Sequence, residues 1–215
     1  MNNIFDLECR RCPRLAAFLD AVHLEEPDYH CRPVAPFGDP QARLLIVGLA
    51  PGMHGANRTG RPFTGDHAGI LLYATLHKFG FATGPISTDT GDGLELQDAR
   101  ITNAVKCLPP ANKPLPAEIR LCNDFLRAEL EQSRSARVIL ALGTIAHAAV
   151  LRACELPNGA HRFAHAAEHS LGPERVLLDS YHCSRYNTQT RRLTTSMFES
   201  VIARARDLAF AARPG

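Results

Sequence analysis

The chain has 215 residues, enough for one α/β domain with a proper core and short for two independent ones. Its apolar share of 45% and charged share of 21% are ordinary globular values, and no apolar run approaches the ~20 residues of a membrane-spanning helix. The net charge of +2 does not announce a nucleic-acid partner, so charge has to be read locally. Residues 1–12 lack the pattern of a secretory signal, and the expected location is the cytoplasm. In such a compartment the seven cysteines raise metal ligation rather than a disulfide framework.

In chain order, a helix is expected from Pro13 to Val22, followed by a proline-rich connector from Pro27 to Pro40. Arg43 to Gly48 is a short, nearly continuous apolar run, as in a parallel strand buried on both faces. A long loop, Leu49 to Asp66, leads into a helix from His67 to Phe79 that Gly80 stops. Gly84 to Gly93 has turn composition and reads as an exposed excursion. A second strand spans Arg100 to Val105, and Pro109, Pro110, Pro114 and Pro116 then forbid regular structure. A helix from Ala117 to Gln132, a strand from Arg137 to Leu142, a helix from Gly143 to Cys154 and a strand from Arg175 to Asp179 follow. A polar loop from Ser180 to Arg192 and a helix from Thr194 to Ala211 close the chain. Strands alternating with helices predict a single α/β domain with a central, mostly parallel four-stranded sheet flanked by helices on both faces. Ligands bind at the carboxyl ends of such strands, which selects the loops after Gly48, after Ile101 to Val105 and after Asp179.

The first loop has glycines at 48, 52, 55, 60 and 65, and Arg58 and Arg61 supply charge for phosphate. It is neither a dinucleotide loop nor a Walker loop, since Arg61 follows Gly60 where the latter has Lys. In the second segment Asn103 ends a buried strand with an amide able to read a base edge, although an isolated Asn is more often a turn former. In the third, His182 stands near Arg185, Tyr186, Asn187, Arg191 and Arg192, a composition closer to a nucleic-acid contact than to a solvated turn. Cys9, Cys12, Cys107 and Cys122 can converge at one edge of the sheet, and their spacing fits either zinc or an iron-sulfur cluster. Cys31, Cys154 and Cys183 lack partners at comparable spacing.

Together these segments, from Cys9 to about Thr194, resemble the uracil-DNA glycosylase superfamily, specifically its iron-sulfur families 4 and 5. The long loop, the stretch Thr102 to Pro110 and the cysteine spacing are similar to family 5, the type of broad substrate range, and Leu49 stands where family 4 has Glu. The resemblance implies a DNA-repair glycosylase that cuts the N-glycosidic bond of flipped-out uracil, with hypoxanthine and xanthine as further substrates. It makes Phe63 the aromatic on which the base stacks, Asn103 the amide that reads it, His182 the donor to the leaving base and Asp66 the carboxylate that positions water. Gly52, His54, Asn57 and Arg58 of the first loop and Ser184, Arg185, Tyr186 and Asn187 of the third are then contacts to DNA, the last three filling the gap in the stack.

Cys9, Cys12, Cys107 and Cys122 match the four ligands of a structural 4Fe-4S cluster in these families, which favours iron-sulfur over zinc. Cys183 replaces the proline of the commoner His-Pro-Ser motif. The expected protein is a monomer of the cytoplasm, at the bacterial nucleoid, acting on DNA with uracil or other deaminated bases and needing no membrane. Two other readings are a catalytically silent damage-binding protein of the same fold and a zinc-dependent nucleotide hydrolase.

Overall fold

A computed structural model describes residues 5–212. Helix α1 (Pro13–Glu25) follows the first two cysteines with proline in its first turn, where the missing N–H costs nothing. Four strands form the parallel centre of the sheet: β2 (Leu44–Gly48), β3 (Ala99–Asn103), β4 (Val138–Leu142) and β6 (Val176–Ser180). They are the four runs that the sequence marks as strands. Among the described residues the sheet nonetheless has six, because β1 (Phe37–Gly38) and β5 (Glu168–Ser170) pair antiparallel at its two edges, giving the order β1-β3-β2-β4-β6-β5. Two- and three-residue edges leave little unpaired backbone to recruit another chain.

Side-chain alternation divides the core between the two faces of the sheet. Leu44, Ile46, Leu140 and Leu178 pack toward α3 (His67–Lys78) and α7 (Thr195–Phe210). Leu45, Val47, Ile139 and Leu177 pack toward α4 (Pro116–Gln132) and α5 (Thr144–Ala153). Strands buried on both faces have no polar alternation to show, which is why β2 and β4 read as unbroken apolar runs. Register places Gly48 beside Asn103 at the carboxyl end of the sheet, where the loops that carry polar residues emerge.

The loops contain more structure than expected. The first holds a short helix, α2 (Ala56–Thr59), and the last holds α6 (Arg185–Gln189), whose N-cap Ser184 accepts from the Asn187 backbone N–H. Pro116 occupies the first turn of α4 instead of preventing it, and Pro110–Asn112 form a 3-10 turn. Strand β3 stops at Asn103, two residues short of the expected Val105. The Gly84 to Gly93 excursion is anchored, not free. The Arg61 guanidinium enters it, donating to the Asp92 carboxylate at 2.7 Å, Ser87 Oγ at 3.1 Å and the Thr90 carbonyl at 2.9 Å, and it stacks on Phe37. Arg61 is only 6% exposed, so its charge is spent inside the fold and its assignment to phosphate is corrected. Burial opposes the charge of Asp92, but Arg61 and the backbone N–H groups of Leu94 and Thr88 hold its carboxyl well below the usual range. Among the described residues no helix is long and apolar enough to cross a membrane.

Candidate active site and thiol pocket

A cavity of about 490 Å³ opens at the carboxyl ends of β2, β3, β4 and β6. Phe63 and Asp66 of the first loop, Asn103 at the end of β3 and His182 of the last loop all line it. Two glycines make that convergence possible. A Cβ on Gly48 would stand 2.4 Å from Asn103 Oδ1 and 2.6 Å from Phe63 Cζ, so amide and ring meet over a residue that must have no side chain. A Cβ on Gly69 would stand 1.8 Å from the Phe63 carbonyl oxygen, so the first turn of α3 must be bare for the loop to lie on it. Phe63 itself takes a left-handed backbone (φ 55°), a conformation uncommon for a bulky residue and typical of functional sites. Its ring stacks on that of His182, with centroids 5.8 Å apart and planes 28° from parallel.

Asp66 has two roles divided between its oxygens. Oδ1 caps α3 by accepting from the Gly69 backbone N–H at 2.8 Å. Oδ2 lies against the glycine loop, where a Cβ on Gly55 would come within 2.6 Å and one on Gly52 within 3.5 Å. Burial pushes the Asp66 carboxyl above its usual range, against the pull of the Gly69 and Ala68 backbone N–H groups. His182 is held from behind, since the Asn187 side-chain amide donates to its carbonyl at 2.8 Å. Burial lowers the His182 imidazole to about 4, so the ring is neutral at physiological pH. Its Nδ1 and Asn103 Oδ1 are buried without a hydrogen-bond partner among the described residues. An unpaired buried polar atom costs about 1–3 kcal/mol, and in a cavity that cost is recovered when a ligand supplies the partner.

The other expected contacts are distributed unevenly. Gly52, Ser184, Arg185 and Asn187 line the cavity with the four central residues. His54 and Arg58 are exposed outside it, His54 Nδ1 facing the Tyr29 hydroxyl at 2.9 Å and Arg58 donating to the His54 carbonyl. Tyr186 is 70% exposed on α6. Asn57 is fully buried, with its amide on the Cys31 sulfur, and does not reach the cavity. The sequence reading missed the fourth wall, made by Thr144 and Ile145 after β4, by Phe163 on the segment before β5 and by Asn112. The carboxyl-end rule pointed equally to the loop after β4, which carries no conspicuous polar motif; nothing local marks Phe163.

Cys9, Cys12, Cys107 and Cys122 line one pocket between α1, α4 and the segment after β3. The Lys106 backbone N–H donates to Cys122 Sγ at 3.3 Å. Burial and the neighbouring sulfurs push the Cys107 thiol up to about 12, so four thiolates need a positive centre among them. Four cysteine sulfurs around one pocket are a donor set that suits a soft metal centre. Cys31, Cys154 and Cys183 stand outside the pocket.

A parallel sheet with an aromatic, an amide, a carboxylate and a neutral imidazole around one cavity defines a site for a flat, polar ring. Residues 35–206 match the family described as "Uracil DNA glycosylase superfamily", and the chain belongs to that superfamily. It is 49% identical over 207 residues to the Type-5 uracil-DNA glycosylase of Thermus thermophilus, covering 94% of each chain. It is 43% identical to the Type-5 uracil-DNA glycosylase of Mycobacterium bovis, covering 94% of this chain and 78% of the relative. The Type-4 uracil-DNA glycosylase of Archaeoglobus fulgidus is 33% identical over a shorter stretch, 65% of this chain and 57% of the relative. The type-5 branch is therefore where the chain falls.

Proposed function

We propose that this protein excises uracil from DNA by hydrolysing the N-glycosidic bond of a nucleotide turned out of the helix. The observation that carries the proposal is the single cavity in which Phe63, Asn103, Asp66 and His182 converge, with two buried polar atoms left for a ligand to satisfy. A base within a duplex cannot present its glycosidic bond, so it must be extruded, at a cost of a few kcal/mol that is lower for a mismatch. Arg185 and Asn187, which line the cavity, and the exposed Tyr186 beside them would brace the gap.

As the bond breaks, negative charge grows on the base and positive charge on the sugar. Neutral His182 donates a hydrogen bond to the departing base, the Asn103 amide pairs with its edge and Phe63 supports its face. Asp66 Oδ2 is the oxygen available to hold water or the cationic sugar, since Oδ1 is committed to α3. Leu49 and Ala50 add only apolar wall, which makes hypoxanthine and xanthine further substrates.

Cys9, Cys12, Cys107 and Cys122 would hold a 4Fe-4S cluster, which supplies a structural cross-link between the N-terminus and α4. The protein acts as a monomer on DNA in the cytoplasm. The test is incubation of the pure protein with oligonucleotides carrying uracil opposite guanine, followed by alkali. Strand scission at the uracil is expected, with a 100-fold to 1,000-fold loss, on the order of one preorganised donor, in His182→Ala. An intact strand in the wild type, or His182→Ala within threefold of it, would remove the proposal or the role of His182 respectively.

A further inference from the structure

Behind the cavity wall lies a second group of convergent side chains that glycosidic chemistry does not use. Asp179, fully buried in β6, meets two imidazoles. His147 Nδ1, from α5, is 2.8 Å from its Oδ1, and His169 Nε2, from β5, is 3.0 Å from its Oδ2. The three ligating atoms all lie within 4.8 Å of one another. Among the described residues these two histidines are the ion-pair partners of Asp179 and no Lys or Arg reaches it; burial raises its carboxyl while they oppose that rise.

The tautomer follows from the outer contact. His147 Nε2 is 2.8 Å from the His161 carbonyl oxygen, which can only accept, so Nε2 carries the hydrogen. In a neutral ring, Nδ1 then presents a lone pair to a carboxylate oxygen. Two lone pairs at 2.8 Å require a cation between them, either a proton or a metal ion.

We propose that His147 Nδ1, His169 Nε2 and the Asp179 carboxylate bind one divalent transition-metal ion of zinc-like chemistry. Two imidazoles and a carboxylate are a donor set that zinc accepts, and an imidazole N–H held by a backbone carbonyl is the outer support that metal-bound histidines regularly have. Tetrahedral ligands at about 2.0–2.1 Å stand roughly 3.3 Å apart, so the two imidazole–carboxylate contacts, 2.8 and 3.0 Å to the two oxygens of Asp179, need open by only a few tenths of an ångström, and the two imidazole nitrogens lie within 4.8 Å of each other. His169 keeps 12% of its side chain exposed, which gives an ion a way in and a water the fourth position. The bound ion ties α5, β5 and β6 together directly beneath Phe163, whose ring packs edge-on against His147 at 5.7 Å and lines the cavity. This site shares no residue with the thiol pocket.

The test uses the whole protein, with its iron content measured first, dialysed free of loosely held metal and titrated with zinc chloride alone. One equivalent of zinc with a Kd below about 10 µM, accompanied by a rise in Tm, is expected. His169→Ala, on the edge strand β5, should weaken binding at least about 100-fold. Cobalt in place of zinc should give visible d–d bands without the near-ultraviolet thiolate bands that the cysteines would produce. No zinc taken up at 100-fold that concentration, equal binding by His169→Ala, or cobalt bands from thiolate would each overturn the assignment; the first would leave a shared proton between Asp179 and the histidines.

Discussion

Gly48→Ala isolates the convergence on which the active site depends, because it adds one methyl group and removes no functional atom. The new Cβ would stand 2.4 Å from Asn103 Oδ1 and 2.6 and 2.7 Å from two carbons of the Phe63 ring, whereas ordinary contact begins at 3.4 Å. Amide and ring must therefore each retreat by about 1 Å, and a displacement of that size at a reacting centre costs on the order of 100-fold in rate. Forcing a methyl group into packed surroundings also costs about 1–3 kcal/mol of stability. Single-turnover excision from a uracil-containing oligonucleotide measures the first, and denaturant unfolding the second. Gly84→Ala is the control, since its Cβ would meet only Leu94 Cδ1 at 3.5 Å, and it should leave the rate unchanged. If folded Gly48→Ala excised uracil within threefold of wild type, Asn103 and Phe63 would not both hold the base where the cavity places them.

Asp66→Asn should retain the α3 cap and most stability while losing 100-fold or more in rate, whereas Asp66→Ala should also lose about 1 kcal/mol of stability; equal rates in wild type and Asn would deny the carboxylate a role. Because burial raises the Asp66 carboxyl, the wild-type rate should fall on acidification at a higher pH than an ordinary Asp would give, a limb absent from Asp66→Asn. His182 is depressed from 6.5 to about 4, so the stability tied to its neutral form is complete above pH 6.5 and is lost as pH falls from there toward 4. That loss is up to about 3 kcal/mol, reduced by the hydration of the ring's open edge, and urea unfolding of His182→Asn should show a correspondingly flatter pH dependence. Cys107→Ser should yield a protein depleted in iron and acid-labile sulfide, without brown colour; full iron content would exclude Cys107 as a ligand.

Much of this molecule is written locally. Strands β2 and β4 are buried on both faces and apolar throughout, and that requirement is visible in Leu44–Gly48 and Val138–Leu142 without reference to anything else. Asp66 and Thr194 announce helix starts because a capping side chain acts within three residues. The residues that meet in the cavity were legible for a related reason: a loop that must approach a ligand needs glycine and polar groups in close succession.

What the tertiary structure alone decided are the features whose cause lies elsewhere in the chain. Strands β1 and β5 have no pattern of their own and exist because β3 and β6 offer unpaired edges. Arg58 and Arg61 look equivalent three residues apart, yet only Arg61 meets Asp92, some thirty residues on, and its charge is lost to the interior while that of Arg58 stays at the surface. Phe163 became a wall of the cavity, and Asp179 the partner of His147 and His169, through contacts between elements that no window of sequence contains together. Short-range patterns encode burial and capping because those act over a few residues; which side chain meets which across the sheet is set by packing, and that appears only when the chain has closed on itself.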